Sequence, residues 1–208
     1  ARLPEPGKVK TRRAAEIGEP GALAVYEAML RDLMASIGTS IPGTEVEIFW
    51  PPPPMANGAA LRGAFGHHAV AMQTGATLGD RLCMAFSERI FFHRAEKIVA
   101  IGVDDPALPR ELIERAFVLL DSCEYVVGPA EDGGYYLFGC RALSFEPVVF
   151  EEIDWGASSV LRTTLKRIAS TGRTVALLPE RYDIDTAADL ERYASEGHEG
   201  ELARLLRE

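Results

Sequence analysis

Short apolar runs alternate with helix-length amphipathic stretches along this chain, and that alternation limits the fold more than any other feature. "EVEIFWPPPP", "KIVAIGVDDP", "EYVVGPA", "GYYLFGC" and "TVALLPE" each read as a strand stopped by Gly, Pro or acids. Between them lie helical stripes. "EPGALAVYEAMLRDLMASI" places Leu23, Tyr26, Leu30 and Leu33 or Met34 on one face, with Pro20 near its start. "GAALRGAFGHHAVAMQTG" reads as a weaker helix broken by glycines, and "GDRLCMAFSERIFFHRA" as a helix with Leu82, Phe86 and Ile90 aligned. "PRELIERAFVLLDS" carries Pro109 at its first turn, and "SSVLRTTLKRIASTG" has a serine cap before it and Gly172 after it. "TAADLERYASEG" is predicted to be the last helix, opened by Thr186 and closed by Gly197. Strands alternating with helices predict an α/β fold: three layers, α/β/α, around a mostly parallel twisted sheet of Rossmann-like kind.

Ligands of such sheets bind beyond the carboxyl ends of the strands. Three corners at such positions are acidic. In "AIGVDDP", Asp104 and Asp105 follow an apolar strand and Pro106 ends it. A carboxylate there suits a hard cation such as Mg2+, and equally suits capping of the next helix. In "GPAEDGGYYLFGC", Glu131 and Asp132 precede Gly133 and Gly134. That stretch fits a ligand-shaping loop or a plain hairpin with an Asp-Gly turn. In "RYDIDTAADL", Asp183 and Asp185 alternate, so an extended backbone points both the same way. With Asp189 nearby, this corner holds more acid than a cap requires. Like charges gathered this way call for a cation between them, and such a cation commonly serves phosphates. The opening "PEPGKVKTRR" supplies Gly7, Lys8, Lys10, Arg12 and Arg13, a basic loop that can hold a di- or triphosphate or simply be solvated.

Composition narrows the rest. The chain has 208 residues and a net charge of -9, which argues against a broad nucleic-acid or anionic-membrane surface. No apolar run spans a bilayer and no secretory signal is visible. Cys83, Cys123 and Cys140 lack metal-type spacing and read as reduced core thiols of a cytoplasmic protein. There is no repeat or linker, so residues 1–208 are expected to form a single domain. The chain opens at "ARLPEPG" without Met, and the first strand is expected to be truncated. His67 and His68 point different ways on a helix and are not read as metal ligands. Trp50 and Trp155 read as packing residues, with Trp155, beside Gly156, also placed to border the pocket. Neither a Gly-x-Ser-x-Gly elbow nor a Gly-x-Gly-x-x-Gly turn is present, which leaves a serine nucleophile unsupported and makes an oxidoreductase the weaker reading.

Six motifs run in order over nearly the whole chain: "RLPEPGKVKTR", Gln73 to Arg81 as "QxGxxLGxR", Gly102 to Leu108 as "GxDxPxL", "GPAEDGGYYL" intact at 128 to 137, "WG" at 155 and 156, and "DxDTxxDL" at 183 to 190. On these the chain resembles the DUF2064 family, GT-A-like proteins also labelled as glycosyltransferases linked to arsenosugar biosynthesis. Its corners are similar to those of the molybdenum-cofactor and phospholactate guanylyltransferases. The resemblance implies the nucleotide-diphospho-sugar transferase fold and a site. Asp104, Asp183 and Asp185 would hold Mg2+ or Mn2+. Gly7, Lys10, Arg12 and Arg81 would bind the nucleotide phosphates. Glu131, Gly133, Gly134 and Tyr135 would shape an acceptor pocket, with Asp104 and Asp132 as the catalytic acids. Arg13 and Asp105 depart from the family, which more usually has Leu at the first position and a small residue or Cys at the second.

The expected function is therefore metal-dependent transfer from a nucleotide-activated donor to a small-molecule acceptor. Glycosyl transfer from a nucleotide sugar leads. The family label favours it, and so does the single Gly of "PEPGKVKTR", where NTP-dependent enzymes favour Gly-x-Gly. The alternatives are nucleotidyl transfer from an NTP to a phosphorylated substrate and a silent nucleotide-binding module. No nucleic-acid partner and no membrane span are expected.

Overall fold

The computed structural model describes residues 11–38, 40–41, 43–50 and 68–207, with only the backbone of residues 11–17 and 40. The prolines at 51 to 54 and the first part of the predicted helix from Gly58 lie outside the described residues. The described chain divides into two compact units, one within Ala1–Met72, Val103–Pro109 and Asp183–Glu208, the other from Gln73–Gly102 and Arg110–Tyr182.

The first unit is built on α1, Thr11–Ile37. Its helix breaks at Gly18 (φ 75°, ψ 160°), two residues before Pro20. Proline lacks an N–H and disfavours helical geometry in the residue before it, so the long stripe starts there as the sequence predicts. Of the basic "KVKTRR" run, Thr11, Arg12 and Arg13 lie in the first turn of α1, and Lys8 to Lys10 lie outside the described residues. Gly38 ends α1 with φ 68°, its N–H donating to the Met34 carbonyl at 2.9 Å. β1 (Ser40–Ile41) and β2 (Thr44–Glu45) form a small hairpin. β3 (Glu47–Trp50) then pairs in parallel with β4 (Ala69–Met72). Trp50 packs with Tyr26, Leu30 and Val103, which fits its reading as a packing residue.

β4 corrects the predicted weak helix over "GAALRGAFGHHAVAMQTG". "AVAM" is four apolar residues long, a length at which helical and extended periodicity are indistinguishable. Ladder bonds along β3, Glu47 opposite Ala69 through Trp50 opposite Met72, decide for a strand.

The second unit runs α2 (Leu78–Phe91), β5 (Lys97–Ile101), α3 (Arg110–Leu119), β6 (Tyr125–Pro129), β7 (Tyr135–Arg141), α4 (Val160–Ser170) and β8 (Val175–Leu177). Its sheet has the order β5-β7-β6-β8. β6 and β8 are parallel, while β7 runs antiparallel to both β5 and β6. A connection as short as Ala130 to Gly134 can only return the chain as a hairpin, so this sheet is mixed rather than parallel throughout. Phe86 of α2 packs on Phe138 and Phe150 at ring separations of 5.6 Å, with Tyr125, Val127 and Ile168 completing the core. None of the three cysteines forms a disulfide; Cys123 and Cys140 are buried, and Cys83 is half-buried.

The first unit closes with α5 (Ala187–Ser195) and a helix beyond the predicted last one, α6 (Glu201–Leu205). Five residues are too few for a periodic signal. Tertiary contacts make this helix: Asp32 of α1 accepts the N–H groups of Glu201 (2.7 Å) and Leu202 (2.9 Å), and Arg31 pairs with Glu201 at 2.9 Å.

Candidate active site

In the first unit two of the acidic corners meet. The Ile184 N–H donates to the Asp104 carbonyl at 2.8 Å. Ile184 is 1% exposed, and Asp183 and Asp185 on either side are only half-buried. In an extended segment that alternation turns both acids away from the core, as their spacing predicts. Asp105 is buried, and its Oδ1 accepts the Ala107 N–H at 3.1 Å inside the turn before α3, short of the helix that starts at Arg110.

Asp189 does not join the acidic group. Its Oδ2 accepts the N–H of Asp185 (2.9 Å), the N–H of Thr186 (2.6 Å) and the Thr186 hydroxyl (2.8 Å). Thr186 answers by accepting the Asp189 N–H, so the two form a capping box on α5. The surplus of acid read at this corner is therefore one capping residue fewer than the sequence implied.

In the second unit, Glu131 to Gly134 are the β6–β7 hairpin turn. Gly133 N–H donates to the Ala130 carbonyl at 3.0 Å, and Asp132 Oδ1 accepts the Gly134 N–H at 2.8 Å. Glu131 and Asp132 are exposed. Gly133 has φ 88°, and a Cβ there would lie 2.1 Å from the Ser158 carbonyl oxygen. The close approach that this glycine permits is thus made by the protein's own chain. Tyr135 packs its ring on Phe138 (5.8 Å) and Trp155 (6.2 Å), with its hydroxyl sealed from solvent beside Thr164. Burial pushes the Tyr135 phenol up. Tyr136, its neighbour on the opposite face, donates its hydroxyl to the Pro179 carbonyl at 3.1 Å.

The "QxGxxLGxR" motif forms the start of α2. Thr77 caps the helix and Asp80 completes a capping box; hydrogen bonds from Thr77 hold the Asp80 carboxyl below its usual range. Arg81 Nε donates to the Gly75 carbonyl at 3.1 Å, bracing its own loop. A Cβ on Gly79 would lie 2.6 Å from the Phe150 carbonyl oxygen and 2.9 Å from Trp155 Nε1. The "LG" and "WG" motifs therefore meet in space, a relation their sequence positions do not reveal. They border an open cavity of about 470 Å³ whose lining includes Asp80, Cys83, Phe150, Glu151, Glu152 and Trp155. Burial pushes the Cys83 thiol up, so it is not an activated nucleophile.

Gly7 and Lys10 lie outside the described residues; Arg12 lies in the first turn of α1, with its side chain likewise outside them. His67 is outside them too, and His68, half-buried, precedes β4.

Residues 39–157 match the family model described as "Uncharacterized protein conserved in bacteria (DUF2064)". The chain belongs to the DUF2064 family. Its backbone is similar to the crystal structure of a provisionally named nucleotide-diphospho-sugar transferase from Desulfovibrio desulfuricans G20, with 30% identity and a TM-score of 0.92 over 100% of this chain and 91% of that one. This DUF2064 protein thus has the nucleotide-diphospho-sugar transferase fold, the α/β class expected from its sequence. CMP:2-keto-3-deoxy-manno-octonic acid synthetase complexed with CTP is more distant, at 13% identity and a TM-score of 0.48 over 93% of each chain, a likeness too slight to carry an argument. Among curated protein sequences none matches. No helix among the described residues of the DUF2064 protein is long and apolar enough to cross a membrane.

Proposed function

We propose that this DUF2064 protein is a transferase that moves a sugar from a nucleoside-diphosphate donor to a small-molecule acceptor. The observation that carries the reading is the 2.8 Å bond from Ile184 N–H to the Asp104 carbonyl, which ties the two acidic segments Asp104 and Asp183–Asp185 together. The likeness to the Desulfovibrio desulfuricans protein, named for nucleotide-diphospho-sugar transfer, supports the same class.

The donor set fits a cation shared with substrate. Among the described residues no group of three or more His, Cys, Asp or Glu is placed to enclose a metal. Mg2+ seldom needs such a cage: it takes one or two carboxylates and fills its shell with water and substrate phosphate oxygens. Asp104, with Asp183 and Asp185, would hold Mg2+ or Mn2+ in that open manner. The ion supplies charge neutralisation for the nucleoside diphosphate that leaves. Gly7, Lys10, Arg12 and Arg81 are proposed for the donor phosphates, to which guanidinium and ammonium groups are complementary. The exposed Glu131 and Asp132 are proposed for the acceptor side, Asp132 as its acid-base group, on a turn that Gly133 and Gly134 shape and Tyr135, its hydroxyl buried, supports.

The test is a melting-temperature screen of the full chain with UDP-, GDP-, ADP- and CDP-sugars and the free NTPs, each with Mg2+, Mn2+ or EDTA. A ligand at 100 times its Kd adds about 2.7 kcal/mol. For a chain of this length that is a rise of roughly 5–10 °C. A metal-dependent rise with one nucleotide sugar is expected. A rise with an NTP alone would replace glycosyl by nucleotidyl transfer. A rise without turnover of any donor would leave a silent binding module.

A further inference from the structure

Asp105 is a buried carboxylate, 6% exposed, next to the acid proposed to hold the cation. A charged side chain removed from water must be hydrogen-bonded to be tolerated, so its burial calls for a job. The turn it occupies is pinned at three points. Ahead of it, the Asp104 carbonyl accepts from Ile184 at 2.8 Å. Within it, Asp105 Oδ1 accepts the Ala107 N–H at 3.1 Å, and the Asp105 carbonyl accepts the Leu108 N–H at 3.3 Å. Behind it, the Ser36 hydroxyl of α1 donates to the Leu108 carbonyl at 2.9 Å. Leu108 itself is 1% exposed.

Asp105 is also close to the helix that follows Asp185. Tyr193 of α5 is 2% exposed, and its phenol is pushed up to about 12, first by burial and then by the charges of Asp32 and Asp105. The stretch from Asp183 to Tyr193 therefore meets the turn at Ile184, through the Asp104 backbone, and feels the Asp105 charge at Tyr193. Between these two points lie Asp185 and the capping box that fixes where α5 begins, and Asp183 immediately precedes the first.

We propose that Asp105 is a positioning residue: by accepting the Ala107 N–H inside this turn, its side chain holds Asp104 in register with Asp183 and Asp185 without itself binding the cation. This rests on the metal reading above.

The experiment titrates the full chain with Mn2+ alone, following the free ion by electron paramagnetic resonance, for wild type, Asp104→Ala, Asp105→Ala, Asp105→Asn and Asp105→Ser. Residues that orient a metal ligand typically contribute about 10- to 100-fold to metal affinity. Asp105→Ala is expected to weaken Mn2+ binding by about tenfold. Asp105→Asn and Asp105→Ser, whose side-chain oxygens can still accept from Ala107, are expected to stay within about threefold of wild type. A role in stability alone would lower the melting temperature of Asp105→Ala and leave its Mn2+ affinity unchanged, which overturns the proposal. Equal loss in Asp105→Asn makes the charge itself a ligand and also overturns it, and that arm decides the matter if Asp105→Ala does not fold. Unchanged affinity in Asp104→Ala sinks the metal reading and this inference together. Loss in Asp104→Ala with none at Asp105 sinks this inference alone.

Discussion

Replacing Gly133 by Ala is expected to destabilise the second unit more than the same change at Gly156, although both glycines have positive φ, 88° and 108°. An L residue in that region costs about 1–2 kcal/mol, and both variants bear it. The difference lies in what the new methyl meets. At Gly156 nothing lies within 4 Å of the added Cβ, whereas at Gly133 the Ser158 carbonyl oxygen is 2.1 Å away and its carbon 2.7 Å. That neighbour is backbone, and the Leu161 N–H donates to the Gly133 carbonyl at 2.9 Å, so neither strand of chain is free to retreat. Overpacking of this kind costs a further 1–3 kcal/mol or so. Gly133→Ala should therefore lose about 2–5 kcal/mol and Gly156→Ala about 1–2 kcal/mol. With roughly 2–4 °C per kcal/mol for a chain of this size, the melting temperatures of the two variants should differ by at least about 2 °C. Paired thermal and urea melts measure this. Equal losses would show that the turn yields freely and that contact with Ser158 does not hold it.

Further expectations concern caps, packing and pH. Asp189→Ala removes the acceptor of three hydrogen bonds at the start of α5 and should cost about 1 kcal/mol, read as a lower urea midpoint, while Asp189→Asn should cost less. Gly79→Ala would gain about 1 kcal/mol of helix propensity on an open helix. Here the 2.6 Å contact with the Phe150 carbonyl should reverse the sign, lowering the melting temperature and shifting Trp155 emission in a Trp50→Phe background. Tyr193 favours the neutral phenol in the folded state, so its contribution is complete below about pH 10, the ordinary tyrosine value, and is lost as pH rises toward about 12. Tyr193→Phe should accordingly flatten the decline in stability across that alkaline window in urea melts at stepped pH.

What the sequence revealed and what it hid follow from the range of the interactions. The long stripe of α1 after Pro20, the capped start of α5 and the apolar strand β5 depend on neighbours three or four residues apart, and all were legible. β4 and α6 were not: "AVAM" becomes a strand through its ladder with β3, and α6 forms where Asp32 reaches its first N–H groups. The same division holds at the site. The alternation of Asp183, Ile184 and Asp185 could be read locally, and so could the Asp-Gly turn. That Ser158 lies against Gly133 and that Gly79 and Trp155 share a border depend on contacts between distant segments, whereas the Asp189 cap is a local Thr-x-x-Asp box that the sequence does carry.

The central claim is that Asp104 and its partners serve the phosphates of a nucleotide-sugar donor. The most direct measurement is release of nucleoside diphosphate from each of the UDP-, GDP-, ADP- and CDP-sugars by the full chain, with Mg2+ or with EDTA, for wild type and Asp104→Ala. Release is expected from one donor, needing the metal and falling at least about a hundredfold in Asp104→Ala, the scale set by losing an electrostatic contact to the leaving charge. Release that is indifferent to EDTA or undiminished in Asp104→Ala would contradict it, as would pyrophosphate from an NTP with every nucleotide sugar left intact.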